Sequence, residues 1–194
     1  MNPPRDASRP FLYALQPAFG LYIQHVSPRS MAIPIETAAF LWWLCDATEA
    51  KAVADLGSGF TSYVLRLFAA QAADPVVVHS VDDDPYWLQR SVQFCEYHSI
   101  SVDGFMLDHD WLESEQTYDV IVHDLAGGDK RNEFAGHAAR KLNPGGHLVF
   151  DDAQNHGHHH AFSEVCRSEG LTMLDIWSQT IEDAGRYAAM GVRP

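Results

Sequence analysis

A short apolar strand that runs through a glycine turn into a helix is the feature that most constrains the fold. Residues 52–56 are apolar apart from Asp55, and Gly57 and Gly59 follow before a helix-like segment at 63–70. Glycine allows backbone conformations and a close ligand approach that a side chain would block. In doubly wound sheets the first strand-to-helix turn is where nucleotide-like ligands bind. The turn therefore predicts a parallel α/β sheet with a ligand site at its carboxyl edge.

Strand-like and helix-like segments alternate after this turn. Strands are predicted at 52–55, 76–82, 103–107, 119–124, 146–151, 171–177 and 186–192. Helices are predicted at 11–23, 36–48, 60–72, 85–98, 111–115, 131–142 and 161–169. The alternation is typical of βαβ units, whereas a short polar link joins the last two strands, which should pair antiparallel. The predicted fold is α/β: a seven-stranded, doubly wound, mostly parallel, Rossmann-like sheet with helices on both faces and a C-terminal antiparallel hairpin.

Charge and composition narrow the class of partner. The net charge is −13, from 13 basic and 26 acidic residues, so nucleic acid is a disfavoured partner and a cationic ligand is favoured. No apolar run is long enough to span a bilayer, and residues 1–10 lack an apolar signal core. The cysteines are Cys45, Cys95 and Cys166, an odd and widely spaced set that fits a reducing compartment. We therefore expect a cytoplasmic protein with a small-molecule substrate and no membrane segment.

Four segments, in this order, resemble the class I S-adenosylmethionine-dependent methyltransferases. They are VADLGSG at 53–59, SVDDDPYWL at 80–88, YDVIVHD at 118–124 and LNPGGHLVFDD at 142–152. A glycine-rich turn alone would be weak evidence, but four segments with matching spacing and a terminal hairpin are specific. The resemblance covers about residues 36–192. It implies one methyltransferase domain over 1–194, with a helical lid segment at 1–50 and a Rossmann-like core at 51–194, and it leaves a homodimer open.

The resemblance implies which residues hold the cofactor, S-adenosyl-L-methionine. The turn residues Gly57, Ser58 and Gly59 would lie against it. Asp82, at the end of the second strand, would accept hydrogen bonds from both ribose hydroxyls. In the family the acid at the end of the first strand, here Asp55, helps to hold the cationic methionine part.

The adenine end of the cofactor is less well defined by the sequence. Asp83 is adjacent to the expected adenine edge. Asp108 and Asp110 both follow the third strand, where the family often places an acid near the adenine amino group, and Asp110 is the preferred candidate. Trp87 and Trp111 are candidates to flank the base, because flat rings pack well on it.

Three carboxylates are predicted to meet at the same edge of the sheet. Asp124 ends the fourth strand, and Asp151 and Asp152 end the fifth. Like charges this close repel unless a cation binds or protons are shared, and hard oxygen ligands suit Mg²⁺ or another divalent metal. The pattern resembles the small metal-dependent O-methyltransferases. The alternative, in which Asp124 contacts substrate or water and Asp152 caps a helix, stays open.

The loop after Asp124 departs from that pattern, and a histidine run follows the fifth strand. The related sugar enzymes carry a second acid where this chain has Ala126, so Asp129 or a histidine would have to replace it. In the run at 155–160, His156 and His158 are the candidates for a general base or metal ligand, although a solvated loop is the simpler interpretation. His123 should point away from the site.

The resemblance also implies that an N-terminal segment closes the substrate pocket, with Tyr22, Met31, Ile33 and Glu36 as lining candidates. The function predicted is methyl transfer to an oxygen of a small molecule, with Asp124, His156 or His158 handling the proton. The alternatives are a metal-independent enzyme acting on nitrogen or another acceptor, and a catalytically silent cofactor-binding protein. A nicotinamide oxidoreductase is disfavoured, because Ser62 stands where the third glycine of its turn would be.

Overall fold

The computed structural model describes residues 6–125 and 127–194, and helices and strands alternate through most of its length. The helices are α1 (Arg9–His25), α2 (Ile35–Ala47), α3 (Phe60–Gln71), α4 (Pro85–Tyr97), α5 (Asp108–Glu113), α6 (Gly128–Arg140), α7 (His156–Glu169) and α8 (Trp177–Thr180). The strands are β1 (Ala52–Leu56), β2 (Val77–Asp82), β3 (Phe105–Leu107), β4 (Tyr118–His123), β5 (Leu142–Phe150), β6 (Thr172–Leu174) and β7 (Ala189–Val192).

The seven strands form one sheet in the order β3-β2-β1-β4-β5-β7-β6. The first five strands pair in parallel, and β7 pairs antiparallel with both β5 and β6. The predicted doubly wound sheet and its terminal hairpin are therefore confirmed. The strand order reverses between β1 and β4, and such a switch point opens a crevice at the carboxyl ends of the strands.

Apolar cores cover both faces of the sheet. Alternation along each strand divides its side chains between the two cores: Val53 and Val120 belong to one, Ala54 and Ile121 to the other. The first core also contains buried residues of α1 to α4, and the second contains those of α6 and α7. No helix within the described residues is long and apolar enough to cross a membrane.

Some element boundaries differ from the prediction. Helix α7 begins at His156, not at 161, because the Asn155 side chain accepts hydrogen bonds from the N–H groups of Gly157 and His158 and caps it. The predicted strand at 171–177 is limited to 172–174. The Asp175 side chain then accepts from the Trp177 N–H, and the chain turns into α8.

The glycine turn after β1 has the geometry that the sequence predicts. Gly57 has φ +102°, and its N–H donates to Val81 O at 2.8 Å. A Cβ at this position would lie 2.7 Å from the backbone carbon of Asp124. Both the dihedral angle and the space therefore require glycine where β1 and β4 come together.

A buried polar network lies directly beneath this turn. The Asp55 carboxylate, fully buried, accepts hydrogen bonds from the hydroxyls of Thr61, Ser62 and Ser80. The Arg66 guanidinium donates to the Ser80 hydroxyl from the other side. Burial raises the pKa of the Asp55 carboxyl to about 6, although the Arg66 charge and the three hydroxyls oppose the shift. The network joins β1, β2 and α3 behind the turn.

Gly57→Ala should destabilise the fold by roughly 1–3 kcal/mol, because alanine would adopt a strained φ and collide with the backbone at Asp124. Urea unfolding measures the change. Gly20→Ala is the matched control: nothing lies within 4 Å of its added Cβ, so this substitution in α1 should stabilise by about 0.5–1 kcal/mol. Equal effects of the two substitutions would contradict this account of the turn.

The Asp55 network predicts a pH dependence of stability. The pKa is about 6 in the folded protein against an ordinary value of 3.8, so folding favours the protonated carboxyl. The stabilisation is present below pH 4 and is lost as the pH rises through 6, with a magnitude on the order of 3 kcal/mol. Asp55→Asn should remove this part of the pH dependence, as measured by urea unfolding between pH 4 and 7.

Asp74→Asn is the control for the Asp55 experiment. Its exposed carboxylate pairs with Lys51 at 2.8 Å, which lowers its pKa below the usual value. The substitution should therefore leave the slope between pH 4 and 6 unchanged. An Asp55→Asn slope identical to that of the wild type would show that the carboxyl titrates normally.

Candidate functional site

The turn after β1 positions the carboxylate at the end of β2. The N–H and the hydroxyl of Ser58 donate to Asp82 Oδ2 at 2.8 and 2.6 Å, and the Asp84 N–H donates to Oδ1 at 3.0 Å. Asp82 is mostly buried, and burial raises its pKa above the usual value despite these hydrogen bonds. The carboxylate is thus fixed beside the turn, and its remaining lone pairs are free to accept hydroxyl donors.

A cavity of about 350 Å³ opens at this turn, between the carboxyl ends of the strands and the N-terminal region. Residues of the turn and of the ends of β2 and β4 form one side, and α1 and the segment after it form the other. The lining residues are Tyr22, Ser27, Met31, Ala32, Ile33, Gly57, Ser58, Gly59, Phe60, Thr61, Asp82, Asp83, Asp84, Trp87, Asp124 and Leu125. Three of the four predicted lining candidates from the N-terminal segment are among them, and Glu36 is not.

Asp55, near the end of β1, occupies a buried position. Its carboxylate lies in the buried network behind the turn and is not part of the cavity lining. The side chain of Thr61, which donates to Asp55, comes from a residue that does line the cavity. The Asp55 carboxylate therefore lies beneath the β1–α3 turn, and its implied role in holding the methionine part of the cofactor stays a prediction.

The adenine-edge candidates also separate. Lys130 Nζ bridges Asp83 and Asp108, at 2.8 Å from a carboxylate oxygen of each. Asp110, the preferred candidate, has a side chain that is 61% exposed and faces His109. The structure thus brings Asp108, and not Asp110, to Asp83. The reason is that α5 starts at Asp108 and turns Asp110 outward to solvent.

The two tryptophans predicted to flank the base have different environments. Trp87 lines the cavity, next to the start of α4. Trp111 is fully buried in the second core, and its indole N–H donates to the Tyr118 hydroxyl at 3.0 Å. The expectation for Trp111 is therefore wrong, because its ring packs between β4 and α6 rather than at the sheet edge.

The three predicted carboxylates do meet. One oxygen from each of Asp124, Asp151 and Asp152 lies within 4.8 Å of the others. Asp151 is buried, and its Oδ1 has no hydrogen-bond partner among the described residues. Asp152 has φ +57°, in the left-handed region, where aspartate is one of the few residues other than glycine that occur. We call these three residues the acid cluster.

An arginine that the sequence analysis missed contacts the acid cluster. Arg131, in the first turn of α6, is 4% exposed. Its Nη2 lies 2.6 Å from Asp124 Oδ1 and 3.2 Å from the Asp151 carbonyl oxygen, and its Nη1 lies 3.7 Å from Asp152 Oδ2. A basic residue in the first turn of the helix that follows a strand ending in an acid is the sequence signal that could have identified Arg131.

The cluster carries more negative charge than Arg131 neutralises. Burial raises the pKa of Asp124 to about 6, with Arg131 opposing the shift and Asp152 adding to it. Burial and the charges of Asp124 and Asp152 raise the pKa of Asp151 well above its usual value. The carboxyls therefore favour a bound proton or an added cation. The three carboxylates offer hard oxygen ligands, and Oδ1 of the buried Asp151 has no partner among the described residues. This donor set fits a divalent metal ion.

The three histidines considered in the sequence analysis differ in their exposure and in their surroundings. His156 is exposed at the N-terminus of α7, away from the cavity lining. His158, two residues further into the helix, is half-buried, and its ring packs edge-on against Phe150. Burial and the nearby Arg131 charge lower the pKa of His158. His123 is buried, with Nε2 2.7 Å from Arg131 O, as expected for a residue pointing away from the site. Ala126 lies outside the described residues, and Asp129 is exposed.

Several solved structures have a similar fold, and two O-methyltransferases and a cofactor-bound protein are among them. The cofactor-bound protein Rv0187 from MTB has a TM-score of 0.69 and 18% identity, and the match covers 99% of this chain and 98% of that one. The O-methyltransferase TomG from Streptomyces achromogenes, involved in tomaymycin synthesis and solved with SAM, has a TM-score of 0.66 and 16% identity, covering 93% and 90%.

An O-methyltransferase from Bacillus cereus, in complex with SAH, has a TM-score of 0.64 and 17% identity, covering 98% of this chain and 92% of that one. No protein-family model and no curated protein sequence matches the chain. The fold of this chain, from its N-terminal helices to its terminal hairpin, is therefore the Rossmann-like fold of these S-adenosylmethionine-dependent methyltransferases.

Proposed function

We propose that this chain is an S-adenosylmethionine-dependent methyltransferase that methylates an oxygen of a small-molecule acceptor. The observation that carries the proposal is the position of Asp124. This residue lines the cavity formed by the glycine turn and Asp82, and it is also a member of the acid cluster. A cofactor in the cavity and an acceptor at the cluster would therefore meet at Asp124. The similar structures solved with SAM or SAH support the choice of cofactor.

The residues around the turn fit a nucleoside cofactor. Gly57 and Gly59 leave room that a Cβ would fill, since a Cβ on Gly59 would lie 3.2 Å from the Tyr22 hydroxyl. Asp82, fixed by Ser58, would accept hydrogen bonds from ribose hydroxyls, and Trp87 would pack on the base. When bound, S-adenosylmethionine supplies an electrophilic methyl group on a sulfonium. The enzyme's part is then to orient the acceptor oxygen and to exclude water.

We assign to Asp124 the role of accepting the proton from the acceptor hydroxyl. Burial and the charge of Asp152 raise the pKa of the Asp124 carboxyl above the ordinary value, against the opposing charge of Arg131, so in a metal-free site it is a better proton acceptor than an exposed aspartate. His158 is the second candidate. Its lowered pKa keeps the imidazole neutral at pH 7, and it lies close enough to Asp152 and Arg131 to be influenced by both charges. His156 is more exposed and would require a ligand that extends to the start of α7.

Asp124, Asp151 and Asp152 would hold a divalent metal such as Mg²⁺. Asp151 Oδ1 is a buried oxygen with no partner in the described part of the chain, which is what a metal ligand would look like without its ion. A metal ion there would supply Lewis-acid activation of the acceptor hydroxyl. The acid cluster would fix the orientation of that hydroxyl, and Asp124 would keep it beside the cavity.

Arg131 supports a second candidate, a metal-independent methyltransferase. Its guanidinium already contacts Asp124 at 2.6 Å and lies 3.7 Å from Asp152, so it neutralises part of the charge that a metal would meet. In that case the remaining carboxylate charge would bind an ammonium group and take up the proton that its nitrogen must lose before it can accept the methyl group. Dependence of turnover on a metal separates the two candidates, and an absence of turnover with every acceptor would indicate a silent cofactor-binding protein.

Asp82→Asn should weaken binding of S-adenosylhomocysteine by at least tenfold, because an amide presents one acceptor oxygen where the carboxylate presents two. Isothermal titration calorimetry measures the dissociation constant. Glu113→Gln, which removes one exposed charge from the neighbouring α5, controls for the change in net charge and should leave affinity within twofold. An unchanged affinity of the Asp82 variant would remove the ribose assignment.

Turnover with a panel of phenolic, sugar and amine acceptors should fall at least tenfold in EDTA and return with excess Mg²⁺. Mn²⁺ binding, followed by the loss of the free-ion EPR signal, should be abolished by Asp151→Asn with Asp152→Asn. Glu133→Gln, an exposed acid on α6, should bind Mn²⁺ as the wild type does. Full activity in EDTA would favour the metal-independent candidate.

A further inference from the structure

One side of the cavity is a stretch of chain with little regular structure of its own. Residues 27–33, between α1 and α2, contribute Ser27, Met31, Ala32 and Ile33 to the lining, and we call them the wall segment. Within it, the N–H groups of Met31 and Ala32 donate to Pro28 O at 2.9 and 3.1 Å. Such a short turn is held in place mainly by contacts from outside it.

Ala32 and Ile33 pack into the first apolar core, and the polar contacts of the backbone come from an arginine near the other end of the chain. Arg186, between α8 and β7, donates from Nη2 to Ala32 O at 2.9 Å and Arg29 O at 3.1 Å, and from Nη1 to Ser30 O at 3.3 Å. The planar guanidinium presents its donors in a fixed fork, which suits several carbonyls at once. A single side chain thus binds three backbone carbonyls of the wall segment, those of Arg29, Ser30 and Ala32.

Arg186 is itself held by a buried acid. Its Nε donates to Glu182 Oε1 at 2.5 Å, and the Glu182 side chain is 4% exposed. Arg29 of the wall segment approaches the second oxygen, Oε2, at 3.8 Å. Because a buried charge is costly without its partner, this pair fixes the orientation of the guanidinium.

The residue after Arg186 connects to the acid cluster. The Tyr187 N–H donates to Gln154 Oε1 at 3.1 Å, and Gln154 Nε2 donates to Asp152 Oδ1 at 2.8 Å. The Ala153 N–H donates back to Tyr187 O at 2.9 Å. The hydrogen bonds of Arg186 to the wall segment and those of Tyr187 through Gln154 to Asp152 are therefore joined by the peptide bond between residues 186 and 187.

We propose that Arg186 and Glu182 are positioning residues that hold the wall segment over the cavity and join it, through Gln154, to the acid cluster. The cavity wall and the acid cluster are then held as one unit, so a ligand at either one stabilises the other. The proposal rests on the proposed function only for the identity of that ligand. The hydrogen bonds that carry it are independent of the reaction.

Hydrogen–deuterium exchange with mass spectrometry on the full chain tests the proposal without an activity assay. Arg186→Met should raise the exchange rate of peptides covering 27–33 at least tenfold, and strands β1 and β4 should keep wild-type protection. Arg140→Met is the matched control, since it removes an arginine that pairs with Glu169 at 2.6 Å on the opposite face, and it should leave 27–33 unchanged. Unchanged exchange at 27–33 in Arg186→Met, or an equal rise throughout the chain, would overturn the proposal.

Three further variants guard against misfolding of Arg186→Met. Arg186→Lys keeps the positive charge but has fewer N–H donors, so the exchange rate at 27–33 should lie between those of the wild type and Arg186→Met. Glu182→Gln should raise that exchange at least threefold. Gln154→Ala, which leaves Arg186 intact, should raise it at least threefold as well, and no rise in Gln154→Ala would overturn the link to Asp152.

Binding of S-adenosylhomocysteine separates this proposal from the proposed function. Calorimetry should show affinity weakened threefold to tenfold in Arg186→Met, with no change in Arg140→Met even where the latter lowers the melting temperature. A wild-type protein that does not bind the nucleoside would overturn the proposed cofactor, whereas the exchange experiments would still decide the role of Arg186. Wild-type affinity in Arg186→Met would show that the wall segment is not positioned by it.

Discussion

The close approach of two strand ends at Gly57 is the constraint on which the site depends. Its positive φ and the 2.7 Å that would separate its Cβ from the Asp124 backbone allow only glycine there. The same turn presents the Ser58 N–H and hydroxyl to Asp82, and it leaves Asp124 at the edge of the cavity. A bulkier residue would push β1 and β4 apart at the switch point of the sheet. The cavity and the acid cluster would then lose the residue that they share.

Buried negative charge is the second constraint. The chain has a net charge of −13, yet it buries Asp55 and Asp151 and half-buries two further acids beside the latter. Asp55 is satisfied by three hydroxyls and by Arg66 through Ser80. The acid cluster forms its ion pairs with Arg131, and one of its buried oxygens has no partner within the described part of the chain. The first group is a completed structural network, whereas the second keeps a buried oxygen without a partner among the described residues, which is why we propose a cation there.

Local patterns in the sequence predict the doubly wound parallel sheet, the terminal hairpin, the glycine turn and the meeting of Asp124, Asp151 and Asp152, because each depends on where strands begin and end. These patterns fail where a residue far away in the sequence determines the position or the partner of a functional group. Arg131 and Arg186 act on groups that only the folded chain brings near, and Lys130 draws Asp108 rather than Asp110 to Asp83. The positions of Asp55 and Trp111 depend on which face of an element becomes core. The spacing of an acid in the sequence shows that it lies at a strand end, but it does not show whether the carboxylate is buried or exposed there.

A crystal structure of the protein soaked with S-adenosylhomocysteine tests the central claim most directly. The account predicts the nucleoside in the cavity, with its backbone contact at residues 57–59 and its ribose hydroxyls on Asp82. Its sulfur should face Asp124, on the side of the acid cluster. A nucleoside bound elsewhere, or a cavity that accepts a pyrophosphate cofactor in its place, would contradict the account.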